Sequence, residues 1–82
     1  MAPRLRRLSA REVVRALGRL GFEVVSTRGS HSKLRRVSSE GARQVLTLPL
    51  LKDLDAATLQ ATYRQACGFV PEDALRGHFY AT

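Results

Sequence analysis

The chain has 82 residues, 44% of them hydrophobic, with 14 Lys and Arg against 7 Asp and Glu and a formal net charge of +7. That length makes one small domain, read over 1–82 with a core of about 9–68, and no apolar run reaches the roughly 20 residues of a membrane span. A single cysteine, Cys67, forms no internal disulfide, and neither a Cys/His cluster at zinc spacing nor a carboxylate cluster for calcium or magnesium is present, so no metal or other cofactor is implied.

The charge is unevenly spread. Residues 1–48 carry eleven Lys and Arg against three Asp and Glu, and residues 49–82 carry three against four, which gives +8 and −1. A segregated positive field attracts phosphate backbones and speeds encounter with them. An arginine-rich solvated surface is the plainer alternative. The basic start, Met1 to Arg7, has no apolar stretch behind it, so a secretory signal is not expected. Together with the lone cysteine this points to the cytoplasm.

The first expected element is a helix from about Ser9 to Leu20. Ser9 and Glu12 stand in the S-x-x-E spacing of a capping box. Ala10, Val13, Val14, Leu17 and Leu20 recur at helical spacing and form one apolar face. Arg7, Arg11, Arg15 and Arg19 stand four apart on the opposite side. Like charges at that spacing repel by a few tenths of a kcal/mol per pair, a cost that a polyanion relieves and a solvated face simply tolerates.

Gly21 ends this helix. Phe22 to Thr27 is rich in strand formers, Arg28-Gly29 reads as a turn, and Ser30 to Arg36 reads as a second strand. Ser38 to Gly41 is another turn, followed by a third strand from Ala42 to Leu48 that Pro49 stops. A loop from Leu50 to Leu54 leads to a second helix from about Asp55, its N-cap, to Ala66, with Leu59, Tyr63 and Ala66 inward and Gly68 at its end. Residues 69–82 read as a C-terminal tail or a short helix after Pro71, and whether His78 folds back toward His31 stays open, a dangling tail being the expectation. The class is therefore α+β: an α-β-β-β-α order, a three-stranded antiparallel sheet, and two helices on one face. Double-stranded-RNA-binding domains have this arrangement.

Alternation assigns the faces of the second strand. Leu34 is its one large apolar residue and faces the helices, with Ser30, Ser32 and Arg36 in the same parity. His31, Lys33 and Arg35 then take the open face, with Arg43 a candidate across the ladder. Imidazole, with a reference pKa of about 6.5, both takes and gives a proton near neutrality. A lone histidine among cations is either an acid–base group for a phosphodiester or a surface histidine without a role. Cys67 reads as a small buried hydrophobe, and Tyr63 as a core residue.

Four stretches carry a resemblance to a known family. They are Ser9-Ala10-Arg11-Glu12-Val13-Val14; Leu20-Gly21-Phe22; Arg28-Gly29-Ser30-His31 with Leu34 three residues on; and Leu48-Pro49 leading to Lys52-Asp53-Leu54, Thr58-Leu59 and Arg64-Gln65-Ala66. In these the chain resembles the HicA toxins of toxin–antitoxin pairs, also called YcfA-like mRNA interferases. The resemblance implies a fold like that of double-stranded-RNA-binding domains. It also implies a metal-independent endoribonuclease that cleaves mRNA, and an antitoxin of the HicB type that covers the active face. His31 occupies the position of the family's catalytic histidine. The chain departs from the pattern at Leu50 and Leu51, where many members have a further histidine, and at Phe22, where a tryptophan is frequent.

The mechanism implied uses His31 as the base for a ribose 2′-hydroxyl, with Lys33, Arg28 or Arg35 stabilising phosphoryl charge. Gly29 permits close approach of the RNA, Ser30 holds a phosphate or orients the turn, and Arg43 completes the RNA-binding set. Protonated His31, Lys33 or water supplies the leaving-group proton. The chain is expected as a monomer alone or in a heteromeric complex with its antitoxin, away from membranes. Two rivals stay open: a module of the same fold that binds RNA without cutting it, and a degenerate toxin that serves mainly as the antitoxin's binding partner.

Overall fold

The computed structural model describes residues 4–81. In chain order the elements are β1 (Arg4–Leu5), α1 (Ala10–Gly18), β2 (Glu23–Arg28), β3 (His31–Val37), β4 (Arg43–Pro49), α2 (Ala56–Cys67), α3 (Glu72–Phe79) and β5 (Tyr80–Ala81). Strands β2, β3 and β4 form one antiparallel sheet in that order, and β1 pairs with β5 in a separate two-stranded ribbon. The α-β-β-β-α order is thus present, inside a frame made by a third helix and the terminal strands. It is compatible with the arrangement of double-stranded-RNA-binding domains. No helix among the described residues is long and apolar enough to cross a membrane.

Ser9 starts α1 as the capping box requires. The Glu12 N–H donates to Ser9 Oγ at 3.1 Å, and the Ser9 N–H donates to Glu12 Oε1 at 3.0 Å. The Ser9 N–H, and after it the Ser9 hydroxyl and the Arg6 and Arg15 charges, hold the Glu12 carboxyl below the usual carboxylate range. The helix stops at Gly18, two residues short of Leu20, because Arg19 to Gly21 form a tight turn in which Gly21 takes φ +97. Arg7 precedes the helix, so the arginine row on α1 is Arg11 and Arg15, with Arg19 at its C-cap. Asp55 stands at the N-cap of α2, but its side chain makes no capping bond.

Val13 and Leu17 of α1, Leu34, Leu46 and Leu48 of the sheet, and Leu59 and Ala66 of α2 share one core. Leu17, Leu34 and Leu48 are fully buried. Each such side chain contributes about 1.5–3 kcal/mol relative to an exposed one. The helices therefore cover the Leu34 face of the sheet, and the opposite face stays open. Tyr63 is buried as well, and burial with a hydrogen bond to Glu72 at 2.8 Å pushes its phenol up to about 12. Cys67 is half-buried against this core, and burial pushes its thiol up.

The C-terminal segment takes the helical form of its two alternatives, and it packs into the core. Residues 72–79 are helical, Leu75 and Phe79 are fully buried, and β5 pairs with β1 through Arg4–Ala81 and Leu5–Tyr80. The Phe79 and Tyr80 rings meet Tyr63 edge-on, with centroids 5.4 and 5.1 Å away. The core therefore runs from Leu8 to Phe79 rather than from 9 to 68. Of the domain read over 1–82, residues 1–3 and 82 lie outside the described residues. Phe79→Ala should lower stability by about 3–5 kcal/mol. Urea unfolding of the purified variant measures this, and an unchanged midpoint would contradict a core role for α3.

Candidate active site

Glycine sets the turn that carries the histidine. Arg28 and His31 pair across the ladder and leave Gly29 and Ser30 as a two-residue loop. Gly29 has φ +55, and no residue other than glycine has a positive φ among the described residues. A positive first and a negative second loop residue give the sign pattern of a type II′ turn, whose twist suits the flanking strands.

An irregularity in β2 then decides what stands beside the histidine. Glu23 pairs with Arg35 and Val24 with Leu34; after a register shift at Val25, Ser26 pairs with Lys33, Thr27 with Ser32 and Arg28 with His31. Strict alternation from the buried Phe22 would turn Arg28 toward the core. The extra residue reverses the parity and sends Ser26 and Arg28 to the open face. Thr27 turns inward, where its Oγ1 lies 3.1 Å from Oγ of the buried Ser32.

On the open face His31 has Arg28 on one side and Pro49 on the other, and Lys33 lies between Ser26 and Thr47. Opposed residues on neighbouring strands are about 5 Å apart, and same-face neighbours along a strand about 7 Å. Ser26, Arg28, His31, Lys33 and Thr47 line a shallow concavity of about 470 Å³. Ser30 Oγ is 3.5 Å from His31 Nδ1, at the outer limit of hydrogen bonding. The one ion pair among the described residues is Glu72–Arg76 at 3.3 Å, so no carboxylate is paired with Arg28 or Lys33. The arrangement offers a water-accessible imidazole between two cations that are free to take an anion.

The remaining candidates lie further out. Arg35 is on the same face, opposite Glu23 and Val45. Arg43 pairs with Val37, six residues beyond His31 along β3, or roughly 20 Å at the strand rise. The structure therefore brings Arg28, Ser30 and Lys33 to His31 and leaves Arg43 at the far end of the sheet, beside the exposed Val37 and Val45. His78 lines a separate cleft against α1.

Two local features have little signal in the sequence. The Leu50 N–H donates to the Ser30 carbonyl at 2.6 Å, which seats the loop after β4 against the histidine-bearing turn. Arg36, in the parity of Leu34, donates to the Leu20 carbonyl at 2.9 Å and to Gln44 Oε1 at 2.7 Å, and so ties the sheet to the end of α1. Only the pairing of an arginine with an inward position hints at the second.

A family model described as the HicA toxin of bacterial toxin–antitoxin pairs matches residues 10–67. The chain belongs to the HicA toxin family. The match covers α1 through α2 and includes the whole Arg28–Lys33 hairpin; α3 and the terminal ribbon lie outside it. Membership carries a toxin–antitoxin partnership with it. Neither the search of curated proteins nor that of solved structures returned a match.

Glycine chemistry at two positions gives opposite expectations. A Cβ at Gly29 meets nothing within 4 Å, so Gly29→Ala should cost only backbone strain, about 1–2 kcal/mol at a positive φ. Gly18, the last residue of α1, is equally open but carries no positive φ, so Gly18→Ala should stabilise by up to about 1 kcal/mol. Denaturant titration of both variants checks the pair of signs.

Proposed function

We propose that this chain is the ribonuclease toxin of its pair, a metal-independent endoribonuclease that cleaves mRNA with His31 as the acid–base group. The observation that carries this reading is the exposed imidazole between Arg28 and Lys33 in one concavity, with no carboxylate paired to either cation. Neutral His31 takes the proton of a ribose 2′-hydroxyl as its oxygen attacks the adjacent phosphorus. The bond from phosphorus to the 5′-oxygen of the next nucleotide breaks, and the upstream fragment keeps a 2′,3′-cyclic phosphate. Lys33 and Arg28 stabilise the charge that builds on the phosphoryl oxygens. The open space above Gly29 lets the backbone approach the turn closely.

The proton that His31 takes is the nearest one for the departing 5′-oxygen, with Lys33 and water as the other donors in reach. Leu50 and Leu51 stand where many relatives have a second histidine, and the Leu50–Ser30 bond puts that position beside the site. No second imidazole stands there to share the two proton transfers. General acid–base catalysis contributes about 10²–10⁴-fold, so the enzyme is expected to be slow. The same substitution favours the second reading, a toxin fold that binds RNA and antitoxin without cutting.

His31→Ala should fold normally, since the side chain is outside the core, and it should lose RNA cleavage while keeping RNA affinity within a few-fold. Wild-type cleavage should continue in EDTA, and a substrate with a 2′-deoxy sugar at the cut site should resist. Cleavage by the purified His31→Ala protein would remove that residue from the mechanism. Binding without cleavage by the wild type would select the second reading.

The antitoxin, on this proposal, covers the same open face. That face has a cationic end at Arg28, His31 and Lys33 and an apolar end at Val37 and Val45, which are 57% and 42% exposed. A protein with carboxylates and apolar side chains matches both ends, whereas RNA needs only the first. Val45→Asp should weaken antitoxin binding at least about tenfold, which is about 1.4 kcal/mol, and leave RNA cleavage unchanged. Unaltered antitoxin affinity in a calorimetric titration would move the interface off this face.

A further inference from the structure

Three separate parts of the chain converge on the helix side of the molecule, away from His31. Arg15 comes from α1 and Arg19 from its C-cap, Arg6 from the segment after β1, and His78 from α3; with Glu12 they line a cleft of about 210 Å³. An Arg6 guanidinium N–H donates to the His78 carbonyl at 3.3 Å, which holds that side chain at the cleft. Glu12 is the one carboxylate there, and its Oε1 already accepts from the Ser9 N–H. Three guanidinium groups against one carboxylate leave a surplus of two positive charges.

The cleft is the far end of a longer row. Arg11, one helical turn before Arg15, lines a second groove together with Lys52 and Thr27. Thr27 adjoins Arg28, which faces the His31 concavity. The groove shares Ser32 with the His31 concavity, and its Arg11 adjoins Glu12 of the cleft, so the three depressions and their cations adjoin one another. Successive arginines on α1 rise about 6 Å along the helix axis. Their mutual repulsion gains nothing in the folded chain alone, and none of them has an ion-pair partner among the described residues.

We infer that this row is a second anchoring track, which binds the sugar–phosphate backbone of the same RNA that enters the His31 site. The inference rests on the ribonuclease reading. The strand passes along these depressions, and its phosphates sit on Arg11, Arg15, Arg19 and Arg6. Such contacts hold the substrate without reading its sequence. They add affinity for long RNA and leave the chemistry at His31 untouched.

The test uses the full chain in its His31→Ala form, so that RNA is bound but not consumed. Two single-stranded probes are compared, one of twenty nucleotides and one of four. A four-nucleotide strand has three internucleotide phosphates, too few to supply one to the His31 site and one each to Arg15, Arg19 and Arg6. Arg15→Gln with Arg19→Gln should lower affinity for the long probe about tenfold at low salt. It should also reduce the slope of log K against log salt by about 1.4, at 0.7 per lost phosphate contact. Binding of the short probe should not change. Arg6→Gln, in a different segment, should act in the same direction with a slope change of about 0.7, and Arg15→Lys with Arg19→Lys should retain most of the affinity.

Equal effects on both probes, no effect on either, or loss of antitoxin binding with intact RNA binding would each overturn the track. If the chain binds no RNA of any length at low salt, the ribonuclease reading falls together with it. If wild-type protein binds and cuts RNA and the glutamine variants match it, only the track falls.

Discussion

Burial of Leu34 is the constraint from which the rest of the molecule follows. This side chain is fully enclosed between the helices and the sheet, in one core with Val13, Leu17, Leu46 and Leu48. A strand has a period of two, so one enclosed residue fixes the phase of all the others. With Leu34 inward, His31 and Lys33 have no choice but the open face. A slip of one residue would bury an imidazole and an ammonium group and expose a leucine. Together those changes cost several kcal/mol, which a domain of this size does not have to spare.

The phase of β3 and the position of His31 were legible in the sequence because they depend on local pattern. Leu34 stands as the single large apolar residue of its segment, and the Gly-Ser turn marks where the strand begins. The neighbour of His31 on β2 was less so. Phe22, Val24 and Val25 read as a plain strand, and no residue in the run announces the shift at Val25. A bulge follows from how two strands fit over a core, which is a property of the pair. Without it Arg28 would point toward the helices and the imidazole would have a cation on one side only. Arg43 illustrates the complementary limit. Its outward parity was readable, but its distance from His31 depends on the register that the Ser38–Gly41 turn imposes on β4.

The C-terminal segment was legible only as a choice between a tail and a short helix, for a related reason. Glu72 to Phe79 is short, contains Gly77, and offers only Leu75 and Phe79 as inward residues, too sparse a pattern to separate a packed helix from a loose tail. What holds it is supplied from elsewhere: the Tyr63 ring, the Glu72 carboxylate on the Tyr63 phenol, and the pairing of β5 with β1. These contacts join residues up to 77 positions apart, between Arg4 and Ala81, and no window of sequence contains both partners. The family match ends at residue 67, so this clasp lies outside the part of the chain that the family pattern describes.

The two faces of β3 divide the molecule's work. Stability resides on the Leu34 side, where removing a side chain opens a cavity. The proposed chemistry resides on the other, where His31, Lys33 and Arg28 touch little but solvent. Changes on the open face would then alter the proposed RNA and antitoxin contacts at small cost to folding, and changes in the core leave the charge pattern intact. Arg36 is the exception that links them. It lies on the same strand, its guanidinium holds the Leu20 carbonyl at the end of α1, and a Cβ at Gly21 would meet its Nε at 3.3 Å. A basic residue of β3 is thus committed to holding α1 in place. Because α1 carries Arg11 and Arg15, with Arg19 at its C-cap, this contact also sets where the cations on the helix side stand relative to those on the open face.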